Sequence, residues 1–131
     1  LTELREMWVE LEAVAADGSV LLRSGGLDVA GDVEAGTMRF GALAGDAQGN
    51  PTHKPWEVAQ FLWQRLIPPK GSATDAFRIA VPAGAAGQVK VRARLLYRSA
   101  PPKVVKAVLK DAAFEVKTVE MCTATAEVPV R

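Results

Sequence analysis

Between Gln88 and Arg98 the chain reads QVKVRARLLYR, and this alternation constrains the fold more than any other stretch. Successive side chains of an extended strand point to opposite faces. Val89, Val91, Ala93, Leu95 and Tyr97 therefore share one face, and Lys90, Arg92, Arg94 and Arg98 the other. Such alternation marks a strand with one face in a core, and the rest of the chain is expected to supply strands that cover or flank it. Residues 6–14 alternate in the same way, with Met7, Val9, Leu11 and Ala13 on one side and Trp8, Glu10 and Glu12 on the other. If the two strands lie antiparallel side by side, Glu10 and Glu12 face Arg92 and Arg94, and the charged rows meet across the sheet.

The other segments read as further strands and turns. Asp17-Gly18 between apolar runs predicts a hairpin, because both residues tolerate positive φ, and residues 20–24 should return antiparallel. Residues 25–36 are rich in glycine and acids and read as an irregular surface connection. Within them DVAGD (28–32) lacks the ligand spacing and closing glutamate of a calcium loop, so it is expected to be an acidic turn. Residues 37–43 predict a short strand. Pro55 suits the first position of a helical turn, which should give way to a strand near Gln60 that ends at Pro68-Pro69 with Ile67 in the core. Residues 77–81 alternate as a strand. Pro102 opens the best helix, 102–110, with Val104, Val105, Val108 and Leu109 on one side and Lys103, Lys106 and Lys110 on the other. The tail from Phe114 to Val130 holds two short alternating pieces divided near Cys122. About seven short strands and one helix predict a mainly all-β chain, an immunoglobulin-like or Greek-key antiparallel β-sandwich with one short helix near 102–110.

With 131 residues, 49% of them hydrophobic, residues 1–131 suffice for a single domain. Net charge is +1, which gives no general pull toward nucleic acid or acidic membranes. The balance conceals an asymmetry: residues 1–50 carry nine acids and three bases. The two halves are expected to face each other. No apolar run is long enough to span a bilayer, and no signal pattern opens the chain. A start at Leu1 within charged and apolar alternation reads as a piece of a larger protein.

Chemistry-bearing residues are few. Cys122 is the one cysteine, so the chain can form no internal disulfide, CxxC zinc site or CxxCH haem attachment. It reads as a small apolar residue at an edge or inward position. His53 is the one histidine. It is a weak candidate for a haem ligand and otherwise a loop residue, with no nucleophile motif beside it. Trp8, Trp56 and Trp63 allow either a sugar-stacking platform or core packing. The basic row Arg92, Arg94, Arg98 continues into Lys103 and Lys106 and forms a possible docking surface. Nucleic acid is not its expected partner, because no exposed aromatic interleaves with it and Tyr97 points to the core. No catalytic or metal residue is predicted.

Four pieces carry a family resemblance: MWVELEAVAADGSVLLRSGGLD (7–28), RLIPPKGS (65–72), VKVRARLLYRSAPPKVV (89–105) and VEM (119–121). They resemble the β-sandwich domain at the C-terminal end of secreted bacterial multihaem c-type cytochromes. The resemblance implies a non-catalytic, periplasmic or extracellular domain of an electron-transfer protein. It implies haem c in the parent protein but none bound within this chain, and a haem-bearing domain or redox partner as the docking partner. The alternative is a carbohydrate-binding or adhesion module that uses Trp56 or Trp63.

Overall fold

The computed structural model describes residues 4–110 and 113–131. It is mainly β with one short helix, as the alternation predicts: β1 (Glu6–Val14), β2 (Val20–Ser24), β3 (Arg39–Gly45), β4 (Gln60–Arg65), β5 (Gln88–Arg98), α1 (Pro102–Leu109) and β6 (Val119–Pro129). Hydrogen bonding orders the strands β4-β3-β1-β5-β6, with β2 added on β1. β1 has three strand neighbours and β5 has two, so β1 organises the sheet although β5 is longer and more regular in pattern. Alternation reports one-sided burial and is silent about how many neighbours a strand has. The chain divides into two compact units, Leu1–Met7 with Arg39–Ala73 and Tyr97–Val119 in the first, and Trp8–Met38 with Thr74–Leu96 and Glu120–Arg131 in the second.

In the second unit β1 and β2 pair antiparallel, Glu12 opposite Arg23 and Ala13 opposite Leu22. Their turn closes with Ala15 N–H donating to Ser19 O at 2.8 Å and Gly18 N–H donating to Ala15 O at 3.0 Å. Of the Asp17-Gly18 pair only Gly18 takes positive φ, and Asp17 serves through its carboxylate, which accepts from the Ser19 amide and hydroxyl. Trp8, expected on the charged outer face, is buried with Val33 and Leu96, and its indole N–H donates to Gly25 O at 3.0 Å. Gly25 has φ +88°, and a Cβ there would lie 2.3 Å from Val9 O, so the chain passes over β1 at this point only because it carries no side chain. Residues 25–36 are largely at the surface, as expected, but are not irregular throughout. They form a small hairpin, bridged at Leu27 and Val33, that buries Val33. Residues 77–81, predicted as a strand, join no ladder. Phe77 and Ile79 are half-buried and Arg78 and Ala80 exposed, so the alternation of burial is present without a strand to bond to.

In the first unit β3 and β4 pair antiparallel, Gly41 opposite Arg65 and Leu43 opposite Trp63, with a bulge between Leu43 and Ala44. The predicted helical turn before β4 is a 3₁₀ turn, Pro55–Glu57, with proline at its start. Ile67 lies beyond the end of β4 and is 46% exposed, not in the core. Helix α1 ends at Lys110, whose φ of 53° is left-handed and whose N–H donates to Lys106 O. Only Val104 of its apolar residues is buried, and Val108, expected on the buried side, is 72% exposed. The tail is one strand and not two: β6 runs through Cys122 without a break and is exposed at every position.

Candidate docking surface

The sequence points to a row of arginines, and the structure gives each of them an acidic partner. In the second unit Arg94 donates to Glu10 Oε1 through Nη2 at 2.6 Å and Nε at 2.9 Å, and through Nη1 to Glu120 at 3.2 Å. These bonds raise the guanidinium's pKa above its usual range, the Glu10 bond first. Arg92 lies 3.7 Å from Glu12, whose closer partner is Arg23 on β2. The Arg23 bond is the main cause holding the Glu12 carboxyl below the usual range. As the residue number rises on β1 it falls equally on β5, which places the two strands antiparallel and aligned as predicted. Glu10 and Glu12 of the first fifty residues thus meet bases of β5, while Asp17, Asp28 and Asp46 bond within their own turns.

In the first unit Arg98 bonds Glu6 and is 2% exposed, so it is no part of a surface. Alternation assigned Arg98 outward because parity cannot reveal which rows become covered. Lys103 and Lys106, on α1, are exposed. His53 is half-buried in the loop before the 3₁₀ turn. Burial, then the charge of Lys103, holds its imidazole below the usual range, with Glu6 acting the other way. Cys122 is free and exposed. The DVAGD segment is an acidic turn as predicted: Asp28 Oδ1 accepts from the amides of Ala30 and Asp32, both at 2.9 Å. Asp46 repeats that arrangement with the amides of Gln48 and Asn50. No cluster of metal-ligating side chains occurs among the described residues.

The first unit instead exposes apolar side chains. Of seventeen large apolar residues that remain exposed among the described residues, eleven belong to it, which makes this unit the one with surface to cover. Trp56 is 80% exposed, with Phe61, Leu62 and Trp63 following on β4. A polar clamp holds the turn that carries Trp56. The buried Thr52 donates its hydroxyl to Glu57 Oε2 at 3.0 Å and accepts from Lys54 N–H at 3.2 Å. Lys54 Nζ donates to Glu57 Oε1 at 2.8 Å. Residues 52, 54 and 57 are thus tied together, and Trp56 between the last two stays exposed. Trp8 is buried, so a platform of all three tryptophans is ruled out. The sequence signal for this surface is QFLWQR, where three consecutive large apolar residues leave neither face of β4 polar.

The site thus combines Arg92, Arg94 and Arg98, each paired internally, with an apolar strand, β4, at the end of the strand path. No family model matches the chain, and no curated protein matches it. Among solved structures, the crystal structure of a penta-haem cytochrome c552 from Thermochromatium tepidum is similar, with a TM-score of 0.69 and 22% identity over 96% of this chain and 31% of that one. At this identity the likeness shows the fold alone. This chain spans less than a third of the cytochrome's length.

Proposed function

We propose that the chain is a non-catalytic domain of a multihaem electron-transfer protein of the cytochrome c kind, seated against the haem-bearing part of the same polypeptide or against a redox partner protein. The observation that carries this reading is the likeness, over 96% of the chain, to part of a penta-haem cytochrome c552. An immunoglobulin-like architecture, a place at the C-terminal end of the parent and a periplasmic or extracellular location belong to the same proposal. The residues do not fit a covalent haem of the chain's own, because thioether attachment takes two cysteines and Cys122 is the one present. Haem c is assigned to the rest of the parent. Among the described residues no helix is long and apolar enough to cross a membrane.

The test is the reduced-minus-oxidised absorbance spectrum of the protein purified at its natural length. Haem c bands that appear and vanish reversibly with reductant are expected. The exposure of Trp56 favours a second reading, a carbohydrate-binding module. A natural protein without haem bands, retained on polysaccharide and released by Trp56→Ala, would replace the first reading with the second.

A further inference from the structure

We infer that the outer edge of β6 pairs antiparallel with the β6 edge of a second copy of this chain, about a two-fold axis at Ala124. β6 ends the strand path beside β5, so one of its edges has no strand next to it among the described residues. It is held to β5, since Glu120 accepts from Arg94 Nη1 and the Thr123 hydroxyl donates to Ala93 O, both at 3.2 Å. Every residue of the strand is nevertheless exposed. Edge strands that stay alone are blunted by charge, proline or a bulge. β4, at the other end of the path, has such a bulge: Leu43 stands opposite Trp63 and Ala44 opposite Phe61, which leaves Leu62 as the extra residue. From Met121 to Ala126 β6 has neither charge nor proline, and this run, MCTATA, offers open backbone to a further strand.

Symmetry identifies the occupant. A two-fold axis that sets two copies of one strand antiparallel stands perpendicular to the sheet and keeps each side chain on its own face. Residues opposite each other then share parity, so their numbers sum to an even value. Glu120 and Glu127, the acids of the strand, are seven positions apart and differ in parity. No two-fold register therefore sets one against the other. Val119 opens the strand and Pro129, which has no N–H to donate, closes it. That leaves residues 120–128, a segment centred on Ala124. About this centre Glu120 meets the second copy's Val128, Met121 its Glu127, Cys122 its Ala126 and Thr123 its Thr125. Threonine pairs are favourable cross-strand neighbours, and no like charges lie opposite each other. β6 thus accepts its own image along its whole open edge.

Light scattering on the natural-length protein, under reductant and over a range of concentrations, tests the pairing. A reversible dimer is expected. Thr123→Lys with Thr125→Lys sets lysine against lysine in this register and should weaken the dimer about tenfold, with the circular dichroism spectrum unchanged. Thr123→Lys with Thr125→Glu sets lysine against glutamate and should restore the dimer, an effect that damage to the fold would not produce. A monomer at every concentration would overturn the pairing, and β6 amides protected from hydrogen exchange in that monomer would assign the edge to a strand elsewhere in the parent. A dimer indifferent to the two lysines, or two double variants that dissociate alike, would also overturn it. A dimer present only without reductant would replace it with a Cys122 disulfide. Haem bands enter none of these outcomes, so the proposed function stands or falls separately.

Discussion

Glu10 and Arg94 lie on different strands 84 positions apart in the chain, yet their side chains meet at 2.6 Å with less than a third of either exposed. Arg92 and Glu12 stand in the same register at 3.7 Å, but Glu12 is taken by Arg23 and the Arg92 side chain is more exposed than that of Arg94. The two pairs should therefore differ. A double-mutant cycle on Glu10 and Arg94 is expected to give a coupling of about 0.5–1 kcal/mol at low salt, and the cycle on Glu12 and Arg92 a smaller one. Equal couplings, or none in the first cycle, would show that solvent and not geometry governs this row. Acid should weaken the fold through the same class of residue. Glu12 is held below its usual range first by Arg23, Asp17 by Ser19, Asp46 by Asn50 and Glu57 by Lys54. A carboxyl depressed in the folded state contributes stability that is full above its unfolded pKa and lost as pH falls through the folded value, because the unfolded chain takes up the proton first. Denaturant midpoints are expected to fall steadily below about pH 4. Midpoints unchanged down to about pH 2 would contradict this.

At the scale of the element, α1 gives the clearest contrast between pattern and placement. Its apolar stripe predicts burial of Val104, Val105, Val108 and Leu109, and the structure buries Val104 alone. Val104→Ala is expected to cost about 1–3 kcal/mol in urea unfolding, and Val108→Ala and Ile67→Ala less than about 0.5 kcal/mol. A large loss at Val108 or Ile67 would place them in a core that the structure does not give them. Much of the architecture was legible in the sequence. The ranges of β1, β2, β5 and α1, the turn that yields to a strand near Gln60, and the Glu10 and Arg94 alignment all follow from alternation, proline and parity. What stayed hidden depends on tertiary cover. Trp8 shares the parity of Glu10, yet it is buried because the 25–36 hairpin folds over it, and that hairpin closes only through the bare backbone of Gly25. Residues 77–81 have strand chemistry, but a ladder needs a second strand that their own pattern cannot provide. The candidate site was half visible: Trp56 and Trp63 were marked by residue type, while the bonds among Thr52, Lys54 and Glu57 in the turn that carries Trp56 were not. A hydroxyl, an amine and a carboxylate within six positions are too common a combination to stand out.

At the scale of the molecule, the second unit pairs Glu10 and Glu12 with Arg94 and Arg92 and carries six bases against nine acids, while the first unit is basic and holds most of the exposed large apolar residues. Such a division suits a domain whose Arg92, Arg94 and Arg98 are paired internally and whose apolar residues are left exposed in one unit. The fold it shares with part of a penta-haem cytochrome c552 is the ground on which the proposed reading, a module without haem of its own in a haem protein, rests. Peptide-level mass mapping of the natural-length protein tests this most directly. The account predicts covalent haem on several peptides outside residues 1–131 and a bare thiol at Cys122. A natural protein whose peptides carry no haem, or a haem-sized increment on the Cys122 peptide, would contradict it.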